Sequence, residues 1–383
     1  MIAVIADDLT GAAEIGGLGL KHGLRVEIAT EVNLKSTADL LIINTDSRSK
    51  SENEAVAAVT KVCKAIKTLN PDWVFKKIDS VLRGHILAEL EVEMAILGMS
   101  KALVIPANPH TGRTVVNKTY LINGAPLHQT AFADDPEFPI FGSNINHLLR
   151  VQNQDVAVNK HHEQLPEVGI VVGEVENVED LSAWAMVANT GDFLTGGSSF
   201  FGALLNKLLV YPEQENVIYK LTKPQLYVSG TTFTANTEKI AKVYNTGGPV
   251  SYMPQSLLSN QDGIGSVLQE WAYEVSELIA NYSRALIAID QYDANFLKPN
   301  AATLRKSMAL AVEAIFKQVR IEELIIEGGS TAAAVLSCLN INTLFPVQQL
   351  APGIIRSRAM YPQNIHVTLK PGSYPWSEKV WMF

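Results

Sequence analysis

Ile2-Ala3-Val4-Ile5-Ala6-Asp7-Asp8-Leu9-Thr10-Gly11-Ala12 begins as an apolar run, meets two adjacent carboxylates and continues in small residues that suit a helix. An apolar strand that passes through a polar turn into a helix is the repeating unit of a parallel sheet covered on both faces. The same order recurs downstream. Apolar runs at 26–29, 40–44, 74–77, 102–106 and 169–172 read as further strands. Between the third and fourth strands, Ala55, Val59, Val62, Ile66 and Leu69 are spaced to share one helix face. Glu52, Glu54, Lys61, Lys64 and Lys67 fall on the wet side.

After Lys220-Leu221-Thr222-Lys223-Pro224 the alternation restarts. Residues 225–228 read as a strand that turns through Ser229-Gly230 into a helix over 236–244. Residues 285–289, 324–326 and 365–369 read as three more strands. The expected architecture is α/β with two domains, 1–222 and 223–383. Each is a mostly parallel sheet covered by helices, with a ligand cleft between them.

The composition narrows the function. The chain has 383 residues, 47% hydrophobic and 18% charged, enough apolar material for a large core and too much for wholesale disorder. Its formal net charge of −8 argues against nucleic acid as the main partner. Two cysteines, Cys63 and Cys338, are too few for a disulfide framework or a thiolate metal site, so a reducing cytoplasm is expected. No run of about 18 apolar residues is present, and the N-terminus lacks a signal peptide's basic region, so no membrane partner is expected.

Polar residues gather where strands end, and in open α/β sheets ligands sit just beyond those ends. Asp7 and Asp8 can bond a polyol, hold a cation or take a proton from a hydroxyl, Asp8 being the better base. The plain structural alternative is a helix N-cap. Asn44-Thr45-Asp46-Ser47-Arg48 offers a guanidinium for a carboxylate. In Lys76-Lys77-Ile78-Asp79-Ser80-Val81-Leu82-Arg83, the lysines can neutralise an anion while Asp79 and Ser80 grip hydroxyls; a solvated charge run is the alternative. Pro109-His110-Thr111-Gly112-Arg113 is a loop that either turns the chain or presents Arg113. In the second half, Glu327-Gly328-Gly329-Ser330-Thr331 joins an apolar strand to a helix, where glycines let a phosphate approach free N–H groups. Tight turns also favour glycine, and neither a Walker A nor a G-x-G-x-x-G run is present.

Taken in order along nearly the whole chain, these segments resemble the four-carbon acid sugar kinase family. The resemblance rests on Ala6-Asp7-Asp8-Leu9-Thr10-Gly11-Ala12, Lys77-Ile78-Asp79-Ser80 with Arg83-Gly84, Gly112-Arg113-Thr114-Val115 and Asp134-Asp135-Pro136. It continues through Val228-Ser229-Gly230, Gly328-Gly329-Ser330-Thr331, Pro352-Gly353 and Lys370-Pro371-Gly372. Ser330 stands where the family usually has an acid, and Ser373-Tyr374-Pro375 departs from its late pattern. The resemblance implies an ATP-dependent kinase of threonate, erythronate or 3-oxo-tetronate, using Mg²⁺. It implies that Asp7, Asp8, Arg48, Lys77, Asp79, Ser80, Arg83 and Arg113 meet the sugar acid, with Asp8 as catalytic base. Arg48 and Lys77 would hold the substrate carboxylate. Ser229, Gly328, Gly329, Ser330, Thr331, Gly353 and Gly372 would meet ATP. Metal ligands and substrate stereochemistry are not legible, and a homo-oligomer is left open. Two rivals stand beside this reading. One is an acid-sugar sensor without nucleotide chemistry; the other is an Asp-dependent phosphohydrolase, disfavoured because Asp7 and Asp8 are adjacent rather than spaced Asp-x-Asp.

Overall fold

The computed structural model describes residues 1–135, 138–152, 156–209, 220–230, 234–258, 264–290, 301–372 and 374–383. It divides into two compact units, Met1–Gln214 and Glu215–Phe383. The join expected near residue 222 falls inside the second unit. Of the residues singled out above, Pro136, Thr231, Thr232 and Ser373 lie outside the described residues.

The first unit runs β1 (Ile2–Ala6), α1 (Leu9–Lys21), β2 (Val26–Ala29), β3 (Leu40–Asn44), α2 (Glu52–Leu69), β4 (Trp73–Lys77), α3 (Ile86–Leu97) and β5 (Lys101–Ile105). A small antiparallel sheet follows, β6 (Arg113–Val116), β7 (Thr119–Ile122) and β8 (Ala125–Pro126). The unit ends with α4 (Ile145–Leu148), β9 (Val156–Asn159), β10 (Gly169–Gly173), α5 (Val178–Val187), β11 (Phe193–Gly196) and α6 (Ser198–Leu208). Its main sheet has the order β2-β3-β1-β4-β11-β5-β10-β9, with every neighbour parallel. All residues of β1, β3 and β4 are buried, so helices cover both faces, as the continuous apolar runs imply.

Local chemistry sets the helix ends. Asp8 has extended backbone and accepts from the Gly11 N–H at 2.9 Å, which starts α1. Glu54 accepts from the Ser51 N–H at 3.0 Å and opens α2, which stops at Asn70 in the left-handed region. A Cβ on Gly19 would lie 2.5 Å from Leu40 Cδ2, so α1 can sit this close to the sheet only because it is glycine-rich. β11 was not foreseen. It enters between β4 and β5 with Gly196 opposite both Lys77 and Ile105. Phe75 of β4 packs on Phe200 and Phe201 of α6, with centroids 6.2 and 5.0 Å apart. Each such buried side chain contributes about 1.5–3 kcal/mol of transfer free energy, and together they hold the β11–α6 turn over β4.

The second unit runs β12 (Gln225–Ser229), α7 (Thr234–Asn245), β13 (Val250–Tyr252), α8 (Ile264–Tyr282), β14 (Arg284–Ala288) and α9 (Ala301–Gln318). It continues with β15 (Glu323–Glu327), α10 (Gly329–Cys338), β16 (Thr343–Ala351), β17 (Ile354–Ala359) and β18 (Ile365–Lys370). The order is β13-β14-β12-β15-β18-β17-β16, parallel as far as β18 and antiparallel through β17 and β16. Tyr227, Leu286, Ile325 and Trp376 lie in one buried cluster. Among the described residues, no helix is long and apolar enough to cross a membrane.

Candidate functional site

Register brings three turns of the first unit to one edge. Ala6 pairs with both Asn44 and Lys77, so β1, β3 and β4 end level. Backbone bonds then lace the turns together: Thr45 N–H donates to Ala6 O at 2.9 Å and Asp7 N–H to Lys77 O at 3.3 Å. Arg48 reaches across them. Its Nε donates to Asp7 Oδ2 at 2.8 Å, and its Nη2 to Asp7 Oδ1 and Asp8 Oδ1, each at 2.9 Å. Its Nη1 lies 3.7 Å from Asp79 Oδ1. Asp79 is gripped in turn by Arg83, through Nε at 2.8 Å and Nη2 at 2.9 Å. The remaining Arg83 nitrogen donates to Asp135 Oδ2 at 2.8 Å. The guanidinium expected to receive a ligand carboxylate thus holds two of the chain's own.

Asp8 also caps α1, so the structural alternative is realised; the Thr10 hydroxyl donates to its Oδ2. With Oδ1 receiving Gly11 and Arg48, Oδ2 keeps one lone pair for a further donor. Burial opposes the Asp8 charge, yet Arg48, Lys77, Thr10 and Gly11 outweigh it and hold its carboxyl below the usual range. Burial prevails at Asp7, whose pKa is raised despite Arg48. At Asp79 burial is again opposed, and Arg83 with Arg48 drives the pKa far down. Asp8 and Asp79 are therefore carboxylates at neutral pH.

Lys77 is buried, donates from Nζ to Ile78 O at 3.0 Å, and has Nζ only 2.8 Å from where a Cβ on Gly11 would stand. Glycine at 11 is what lets this ammonium rest on the first turn of α1. Lys76, read with Lys77 as an anion-binding cation, points to the opposite face, as strand alternation requires. There it pairs with Glu89 and Glu93 of α3 and is wholly buried. Ser80 accepts from Arg113 Nη1, and the guanidiniums of Arg83 and Arg113 lie 5.4 and 5.9 Å from the centroid of Phe132. All eight first-unit candidates therefore fall on this edge. Phe132, Gly11 as the floor under Lys77, and the Gly196-Gly197-Ser198 turn were not singled out as site residues. That last turn borders the site, since Ile78 N–H donates to Gly196 O at 3.1 Å.

In the second unit, Ser229 closes β12, and Gly328 caps α10 with φ +99° and no side-chain bond. Gly329, Ser330 and Thr331 form the first turn, which carries no acid. A Cβ on Gly230 would stand 1.9 Å from Thr331 Oγ1, so glycine is required where the two turns touch. Gly372 O accepts from Asn236 Nδ2 at 2.9 Å. Gly353 turns β16 into β17 at φ +70°, beneath the ring of Tyr374. This uncapped, acid-free helix start next to two glycine turns fits a nucleotide phosphate. Among the described residues no three His, Cys, Asp or Glu side chains gather to hold a metal.

Residues 2–204 match a family model described as a sugar-binding N-terminal domain, and residues 226–374 one described as a nucleotide-binding C-terminal domain. The D-threonate kinase of Salmonella typhimurium is 28% identical over 384 residues, covering 92% of this chain and 89% of that protein. A 3-oxo-tetronate kinase of Haemophilus influenzae is 23% identical over 403 residues, covering 98% and 97%. A solved structure from Salmonella typhimurium LT2 superposes with a TM-score of 0.81 at 18% identity, covering 99% and 97%, and so shares the fold.

Proposed function

Because the chain belongs to the four-carbon acid sugar kinase family, we propose that it moves the γ-phosphoryl group of ATP to a hydroxyl of a threonate-, erythronate- or 3-oxo-tetronate-type acid. The observation that carries the substrate half is a pair of cations in the first-unit site that no carboxylate of the site holds in an ion pair. Asp7, Asp8, Asp79 and Asp135 are all in ion pairs with Arg48 or Arg83. Among the described residues, Lys77 and Arg113 of the same site have no ion pair to a carboxylate. A small acid sugar offers these two cations a carboxylate, and its hydroxyls suit Ser80 and the free lone pairs of Asp79 Oδ1 and Asp8 Oδ2. Its carboxylate is assigned to Lys77 and Arg113 because the Nε and Nη2 of Arg48 are already engaged.

Bound ATP would supply the phosphoryl group, with Mg²⁺ on its phosphates neutralising developing charge. Ser229, Gly328, Gly329, Ser330, Thr331 and the Gly372 loop would hold it through backbone N–H groups and hydroxyls. Arg48 keeps Asp8 ionised and fixed, and Asp8 Oδ2 accepts the proton of the attacked hydroxyl as it becomes a nucleophile. Lys77 and Arg113 orient the acid so that one hydroxyl faces Asp8.

An ADP-release assay over the stereoisomers of four-carbon sugar acids tests the proposal. ADP release that needs both ATP and one of these acids is expected. Sugar-acid binding without any nucleotide binding would replace the kinase with the sensor.

A further inference from the structure

Glu327 ends β15 immediately before the Gly328-Gly329 turn and is wholly buried. Its apolar strand would pack as well with a neutral residue there, and a buried carboxylate is a liability unless every lone pair is used. Here three donors from three separate pieces of the chain engage it. Glu327 Oε2 accepts from Ser229 Oγ at 2.5 Å, at the end of β12. Oε1 accepts from Asn236 Nδ2 in the first turn of α7 and from Lys370 Nζ at the end of β18, each at 2.6 Å. The same Asn236 amide reaches Gly372 O at 2.9 Å. The main chain repeats the pattern: Gly230 N–H donates to Glu327 O at 3.2 Å, and Gly328 N–H to Lys370 O at 2.9 Å. The Lys370 ammonium is wholly buried as well, 4.8 Å from the centroid of Trp376. One carboxylate therefore ties together the Ser229-Gly230 turn, the Gly328-Gly329 turn and the Gly372 loop.

We infer that Glu327 is a positioning residue of the nucleotide subsite, holding these three segments at the spacing that receives the phosphates. It acts from beneath the turn and does not itself touch the nucleotide, because its carboxylate is wholly buried and engaged from within the protein. The inference rests on the reading of this unit as the ATP-binding half.

Calorimetric titration with ATP and Mg²⁺, steady-state KM for both substrates and melting temperature are measured on four proteins. They are the parent, Glu327→Gln, Asn236→Ala, and the double variant Glu327→Gln with Lys370→Met. Glu327→Gln keeps the shape but removes the counter-charge of Lys370. Asn236→Ala is milder and cuts the tie to Gly372, so it serves if the first variant fails to fold. Both are expected to weaken ATP binding at least tenfold while the KM for the sugar acid stays within twofold. The double variant removes the unpaired ammonium and recovers the melting temperature, but ATP binding stays weak. Recovery of affinity together with melting temperature would reduce Glu327 to a stability role. Folded single variants that bind ATP within twofold of the parent would also overturn the inference. A parent that binds no ATP would instead remove the nucleotide reading on which it rests.

Discussion

Asp8 combines two roles that spacing alone cannot separate, a helix cap and a carboxylate beside cations. The combination makes it a clean target, because asparagine caps a helix about as well as aspartate. Asp8→Asn keeps the Gly11 bond and the start of α1 while removing the charge that would receive a proton. We expect kcat to fall by about 10² to 10⁴ with a small change in the KM of the sugar acid. Steady-state kinetics check this, and a kcat within threefold (about 0.6 kcal/mol) would exclude Asp8 as the base. Arg48 was legible as a bidentate carboxylate holder, but not that the carboxylates are Asp7 and Asp8. Their convergence depends on β1 lying next to β3, and pairing order is not written in a local run of residues. Glu327 was visible in the sequence as well, yet its glycine neighbours drew the reading. The signal for it was a lone acid ending one apolar strand and a lone lysine, Lys370, ending another; they prove to be register partners.

At the scale of elements, β4 and α3 bury a lysine between two acids. Lys76 Nζ donates to Glu93 Oε1 at 2.8 Å and also to Glu89, and Glu93 Oε2 has no hydrogen-bond partner among the described residues. Burial, aided by the nearby charges of Glu89 and Asp7 and opposed by Lys76, raises the Glu93 carboxyl to about 7. The Cys63 thiol donates to the Glu93 backbone carbonyl at 3.9 Å and is pushed up to about 12, chiefly by burial. Because the folded pKa lies above the unfolded value, the native state binds the extra proton near neutrality. Stability is therefore highest on the acid side of this window and falls as pH rises through 7. Urea unfolding of the parent should show a loss on the order of 1 kcal/mol between pH 6 and 8, and Glu93→Gln should flatten that slope. An equal slope in the variant would assign the pH dependence elsewhere. Helix α2 and strands β1 to β5 were legible because periodicity and apolar runs are local signals. β11 was missed because Phe193-Leu194-Thr195-Gly196 is short and ends in polar and small residues. The β16–β17 hairpin was missed because β16 alternates, Leu344, Pro346, Gln348 and Leu350 being buried, and β17 sets Arg356 and Ser357 among its buried residues, so no continuous apolar run marks either strand.

At the scale of the whole molecule, the division of labour between the units is open to a single substitution. The positive φ at the second-unit turn belongs to Gly328, whereas Gly329 is the first helical residue. Gly329→Val therefore adds bulk where a phosphate would approach without forcing a left-handed backbone. ATP binding should be lost while sugar-acid affinity and melting temperature stay close to the parent, which paired titrations and thermal unfolding would show. Unchanged ATP affinity in the folded variant would place the phosphates elsewhere. The placement of β11 carries a consequence of another kind, for the order in which the chain assembles. Residues 193–196 wedge between β4 and β5, which were synthesised roughly ninety residues or more earlier. Until β11 emerges, those two inner edges either stand unpaired or close on one another and must reopen. The first unit thus resembles a zip whose middle teeth arrive last. Its folding should be slow for its size, with the early chain dependent on chaperones that shield exposed strand edges.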